Sequence, residues 1–336
     1  MNNTRATVLA YQFLSEDTDG KRVRALALPC IRSSVIGLPA SRIGQTCGLR
    51  CLLVVCLVCL LLQPFACADQ PSLTFFGWSD QHVTTDGNAS HLEPAIDAMN
   101  KLPGTPFPKE IGGEVPKPAF VFGCGDITEW PTHAAMKSYD ELITERLRFP
   151  AYDILGNHDE GGKAPSETMV NWIVSRHGAR SYTFEHNGVH FIALHSQYDE
   201  SLNNPAQPLT EEALDFLRST LARLAVDEPV IGAMQLCYDA ITNRDALSDA
   251  LGDANVIAIL GGHYHKAKID NYQGRTFVQL PSPAPGSPSE IAVVQVTSDR
   301  LLVIAYDYKR SQWTDDPKKR LDMRIRGPKA PVAVRD

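Results

Sequence analysis

The sequence predicts an α/β layered fold, and three observations carry that prediction. Short apolar runs alternate with amphipathic helical patterns, a cluster of strands closes the chain, and polar motifs follow four of the apolar runs. With 336 residues, 43% hydrophobic and 21% charged, the composition fits a globular protein. It excludes disorder, collagen-like repeats and a multi-span membrane protein.

The elements follow in order. Strands are expected at 73–78, 119–123, 151–155, 182–185, 189–194, 230–234 and 256–260, with 276–280, 291–296 and 301–308 as a strand-rich finish. Thr132 can cap a helix over 133–147, where Met136, Tyr139, Ile143 and Leu147 recur at helical spacing. Ser166 opens a second helix and Thr210 a third, whose apolar stripe is Leu214, Leu217, Leu221 and Leu224. The Pro/Gly-rich stretches 102–118 and 281–288 read as loops. Residues 311–336 turn basic and read as a tail, which bounds the main domain at 69–310.

Residues 1–68 differ from the rest. They hold six of the eight cysteines: Cys30, Cys47, Cys51, Cys56, Cys59 and Cys67. An apolar run at 51–62 is too short to span a bilayer, which needs ~20 residues. Arg42 and Arg50 precede the run, and Ala66-Cys67-Ala68 after it is a signal-peptidase pattern, so the leader reads as a secretory signal cleaved after Ala68. Export to a periplasm or the extracellular space is therefore expected. A membrane anchor through 51–62 is the alternative, because some fifty residues upstream is long for a signal. A zinc site among these cysteines is disfavoured, since a charged tetrathiolate does not suit an apolar run. The remainder carries 25 basic against 36 acidic side chains. That excess disfavours a nucleic-acid backbone or an anionic membrane as partner.

The chemistry lies in four motifs at strand ends: Asp80-Gln81-His82, Gly125-Asp126, Gly156-Asn157-His158-Asp159 and Gly262-His263-Tyr264-His265. Loops at the carboxyl ends of strands can converge on one site. Asp, Asn and His are oxygen and nitrogen donors suited to first-row divalent metals. Singly, Asp-x-His is uninformative and Gly-Asp is usually a turn. Four such motifs in order, each closing an expected strand, are specific.

This set resembles the calcineurin-like metallophosphoesterases over roughly residues 73–308. The resemblance implies a four-layer αββα sandwich of two mixed sheets flanked by helices. It also implies a site for two divalent metal ions (Mn, Fe or Zn) with a bridging hydroxide. It assigns Asp80, His82 and His265 to one metal, Asn157 and His263 to the other, and Asp126 to both. His158 is then no ligand but the group beside the leaving oxygen, with Asp159 orienting its ring. Two cations ~3.5–4 Å apart can clamp phosphoryl oxygens and acidify water, which accords with these roles. An imidazole can protonate the departing alkoxide.

The sequence departs from the family at one place. The strand 230–234 is followed by Gln235, where the pattern has a histidine ligand. Its amide oxygen can still coordinate, so the second site is expected to be oxygen-rich, weak and Mn-preferring. The expected function is an exported metal-dependent phosphoric ester hydrolase, monoesterase or diesterase, acting on a small-molecule or exported phosphoester. The alternative is a non-catalytic binding protein of the same fold with one metal. His195 reads as structural in preference to site-facing. The loop 196–208 can line a pocket, and Cys124 and Cys237 read as buried free thiols.

Overall fold

A computed structural model describes residues 72–328; the leader lies outside the described residues. Thirteen strands form two mixed sheets. In the first, β1 (Leu73–Trp78) runs parallel to β2 (Val121–Gly123) and β2 to β3 (Ala151–Asp153). On its other side β1 pairs antiparallel with β10 (Glu290–Val296), and β10 with β11 (Arg300–Asp307). The second sheet has the order β4 (Tyr182–His186), β5 (Val189–Ala193), β6 (Val230–Ala233), β7 (Val256–Gly261), β9 (Arg275–Gln279), β8 (Lys268–Tyr272). Its strands β5, β6, β7 and β9 are parallel.

Alternation along the strands builds the layers, because successive side chains point to opposite faces of a sheet. Phe75, Phe122 and Val294 of the first sheet meet Phe191, Ile231 and Leu260 of the second in the core between them. Phe76, Trp78, Val293 and Ile304 face the other way. They pack against α1 (Glu93–Lys101), α2 (His133–Glu141) and α3 (Thr168–His177). Ile192, Val230 and Ile259 similarly meet α4 (Glu211–Leu221) and α5 (Arg244–Leu251). Helices, sheet, sheet, helices: this is the expected four-layer αββα sandwich. Two helix starts follow their caps, since the Thr132 and Thr210 hydroxyls accept hydrogen bonds from Ala135 N and Ala213 N.

The expected basic tail is corrected over its described part. Residues 312–313 form β12 (Gln312–Trp313) and residues 320–324 form β13 (Arg320–Arg324), both paired antiparallel with β11. Leu321, Met323 and Ile325 alternate with charged residues and pack against the inter-sheet core, so a strand pattern lies under the basic composition. Strand β8 and helices α1 and α5 were also not anticipated. No helix among the described residues is long and apolar enough to cross a membrane.

Candidate metal centre and active site

The parallel strands β1, β2 and β3 of one sheet and β6 and β7 of the other end at the same edge, and each motif begins there. Backbone hydrogen bonds sew the loops together. Asp80 N donates to Gly125 O at 2.8 Å, His82 N to Asp126 O at 3.0 Å, and Gly262 N to Gln235 O at 2.9 Å. Asp80, His82, Asp126, His263 and His265 all adopt left-handed backbone, with φ between 47° and 77°. Such backbone costs of order 1–3 kcal/mol per non-glycine residue, and it concentrates at functional sites. Two glycines make the room. Gly125 has φ 82°, and a Cβ on it would meet Gln235 Oε1 and Gly156 N; a Cβ on Gly156 would occupy the Asp126 carboxylate.

Three expected ligands converge. One donor atom each from Asp80, His82 and His265 lies within 4.8 Å of the others. His82 Nε2 and His265 Nε2 are 3.1 Å apart, His265 Nε2 is 3.6 Å from Asp80 Oδ1, and His82 Nε2 is 4.0 Å from Asp126 Oδ2. Asp80 and Asp126 are buried. Burial raises both carboxyls above the usual range, and the charge of Asp80 raises Asp126 further. His82 is lowered to about 3, chiefly by burial. Buried carboxylates beside an imidazole kept neutral, that of His82, have the chemistry of a cation site: a divalent ion removes the penalty on the charges and takes a free nitrogen lone pair.

The remaining expected ligands share a different property. Asn157 Oδ1, Gln235 Oε1 and His263 Nδ1 are all buried without a hydrogen-bond partner. Orphaned buried acceptors are rare in folded proteins. These three are the donor atoms a second cation would need, so the residues fit a metal here as well. His263 itself is lowered, first by burial, which keeps its ring neutral. Gln235 is divided between two tasks. Its Nε2 donates to Asp80 Oδ1 at 3.1 Å, while its Oε1 stays free over Gly125.

His158 stands at the rim, half-buried. Its ring lies edge-on to His82 at 4.7 Å and is covered by Trp130 at 4.8 Å. Its backbone N donates to Asp126 Oδ1 at 2.9 Å. The expectation that Asp159 orients this ring is corrected. His158 Nδ1 lies 2.8 Å from the carbonyl oxygen of Glu129, which can only accept, so that carbonyl fixes the ring. Asp159 instead accepts from Ile127 N, Thr128 N, Thr128 Oγ1 and Gly156 N. It ties the two loops together, and burial still raises its carboxyl to about 6. A backbone carbonyl has no sequence signature, so residue types alone could not reveal it.

Around the centre, His195 is buried with Nε2 3.0 Å from Glu160 Oε1. Cys124 and Cys237 are buried free thiols, and burial pushes Cys237 up to about 12. A cavity of about 370 Å³ opens beside Asn157, lined also by Glu160, Gly162, Tyr198, Asp199 and Glu200.

The four-layer fold and the convergence of Asp80, His82 and His265 are similar to what the resemblance to the calcineurin-like metallophosphoesterases implies. No family model matches the chain. It is similar to the protein named serine/threonine-protein phosphatase CPPED1 of Pongo abelii, 27% identical over 239 residues, covering 62% of this chain and 70% of that one. The Mus musculus protein of the same name is 26% identical over 212 residues, or 55% of this chain and 62% of its own length. A protein named probable cyclic nucleotide phosphodiesterase, from Rhodococcus erythropolis, is 26% identical over 208 residues and covers 58% and 66%. The chain thus spans roughly two thirds of these relatives. Among solved structures, GAP50, described as the anchor in the inner membrane complex of Plasmodium, shares the fold. Its TM-score is 0.54 at 13% identity, covering 77% of this chain and 90% of that one.

Proposed function

We propose that the chain hydrolyses phosphoric esters with two divalent cations: one held by Asp80, His82, His265 and Asp126, the other by Asn157, Gln235, His263 and Asp126. The observation that carries this reading is the set of three orphaned donors, Asn157 Oδ1, Gln235 Oε1 and His263 Nδ1, beside the convergent Asp80, His82 and His265. When bound, such cations clamp phosphoryl oxygens and make water acidic enough to attack near neutral pH.

The protein groups do the rest. Asp126 turns Oδ2 toward His82, and its Oδ1 accepts from the His158 backbone N. His158 donates Nδ1–H to Glu129 O, an arrangement that also suits the imidazolium. It therefore presents Nε2 to protonate a leaving oxygen, and Trp130 shields one ring face from water. The cavity beside Asn157 receives the remainder of the ester.

The one-cation, non-catalytic reading draws on Gln235, whose amide spends one end on Asp80. Metal analysis of the purified protein, with hydrolysis of an aryl phosphomonoester and an aryl phosphodiester in added Mn²⁺, separates the two. Two ions per chain with turnover supports the hydrolase; one ion with no turnover on either ester overturns it. Export is part of the same proposal and rests on residues 51–68. A native protein beginning at Asp69 is the expected result of N-terminal sequencing, and a start upstream of Cys51 would favour the membrane anchor.

A further inference from the structure

The second half of the centre is held from outside by the loop 196–208. His263 Nε2 lies 3.0 Å from the carbonyl oxygen of Pro205. That oxygen can only accept, so Nε2 carries the hydrogen and Nδ1 keeps its lone pair. Nδ1 is the buried atom without a partner. A carbonyl fixing the far nitrogen of an imidazole sets both the tautomer and the ring direction of a metal ligand.

What holds Pro205 there is Gln207. Its side chain is buried at 1% exposure and every polar group on it is used inside the loop. Oε1 accepts from Asp199 N at 3.2 Å, and Nε2 donates to Asp199 O at 3.2 Å and to Asn204 O at 2.6 Å. Its backbone is fixed to the segment beyond β6: Gln207 N donates to Ala240 O at 2.7 Å, and Thr242 N donates to Gln207 O at 2.9 Å. Tyr198 adds a second donor to Asn204 O at 3.0 Å. Asn204 immediately precedes Pro205, so these bonds place the carbonyl that His263 meets.

We propose that Gln207 is a positioning residue for the second cation, acting through Pro205 O on the tautomer of His263. The proposal rests on the reading of His263 as a ligand. Gln207 touches neither substrate nor cation. Its effect falls first on the His263 ring: the trio Asp80, His82 and His265 makes no hydrogen bond to this loop among those described, and Asp80 meets His263 through its backbone N at 3.0 and 2.9 Å.

The test uses the full chain. In metal-depleted wild type, ¹⁵N-histidine NMR, assigned against His263→Gln, should find His263 protonated at Nε2. Calorimetric titration with Mn²⁺ should give two binding events. In Gln207→Ala the tighter event should persist and the weaker one should lose about 10–100-fold in affinity, the usual cost of removing an outer support. Tyr198→Phe removes one donor to the same carbonyl and should weaken that event by a smaller factor. It decides the matter where Gln207→Ala does not fold. An unchanged weaker event in the folded variant, or a wild-type His263 protonated at Nδ1, overturns the proposal alone. A single event in the wild type overturns the ligand reading beneath it. A merely structural Gln207 would lower the melting temperature and leave the ratio of the two affinities where it was.

Discussion

The two donor sets proposed for the metal centre are built by different means. Asp80, His82 and His265 converge by side-chain contact, with nitrogen and oxygen atoms already 3.1 to 3.6 Å apart. Gln235 and His263 are aimed by bonds at their far ends, and the donor atoms of Asn157, Gln235 and His263 make no hydrogen bonds of their own. The first half is written in residue types, the second in backbone carbonyls and a buried amide.

The largest way to break this contrast is to remove the carboxylate proposed to bridge both halves. Asp126→Ala should lose metal and activity together, read by metal content and turnover. A variant that kept two ions per chain would remove Asp126 from the centre. His158→Ala comes next, with ~10²–10⁴ lost in turnover, as expected for a general acid. Metal content should hold, since the ring lies outside both donor sets; stripping of metal to the extent seen in Asp126→Ala would contradict the division of roles.

Gln235→His sharpens the contrast from the other side. An imidazole in place of a shared amide should tighten the weaker Mn²⁺ by roughly tenfold or more and reduce the need for added Mn²⁺. Equal titration curves for variant and wild type would show that Gln235 does not face the cation.

The smallest effect concerns a buried carboxylate that the centre does not use. Asp153 accepts from Tyr139 Oη at 2.8 Å, and its Oδ2 is orphaned. Burial pushes it up to about 7 from 3.8. The folded chain thus keeps a proton that the unfolded chain releases. That contribution to stability is complete below about pH 3.8 and is lost as pH rises through about 7. Asp153→Asn should flatten the stability profile over this window and be the more stable form at pH 8 by a few kcal/mol, at ~1.4 kcal/mol per displaced pKa unit. Denaturant midpoints at pH 5 and pH 8 check this, and parallel profiles for the two proteins would refute it.

Much of this molecule was legible before its structure. Strand β1 agrees with its expected bounds because six residues buried on both faces leave a continuous apolar run. The motifs were legible because metal ligation selects residue types. Strand β8 was not, since Lys-Ile-Asp-Asn-Tyr is half-buried along most of its length and its Ile269 alone joins the inter-sheet core. Strand β13 was hidden by its arginines, although Leu321 and Met323 carry the alternation. In the site, Asp159 has the residue type of a histidine partner, yet four donors claim it. The carbonyls of Glu129 and Pro205 do the orienting instead, and every residue has a carbonyl.

The left-handed backbone at Asp80, His82, Asp126, His263 and His265 bears on how such a protein would change over generations. Each position is one where glycine relaxes the chain, so each ligand is held against the direction in which stability alone would push it. A descendant with no ester to cleave would gain robustness by losing its ligands one at a time, and glycines would accumulate at these five places first.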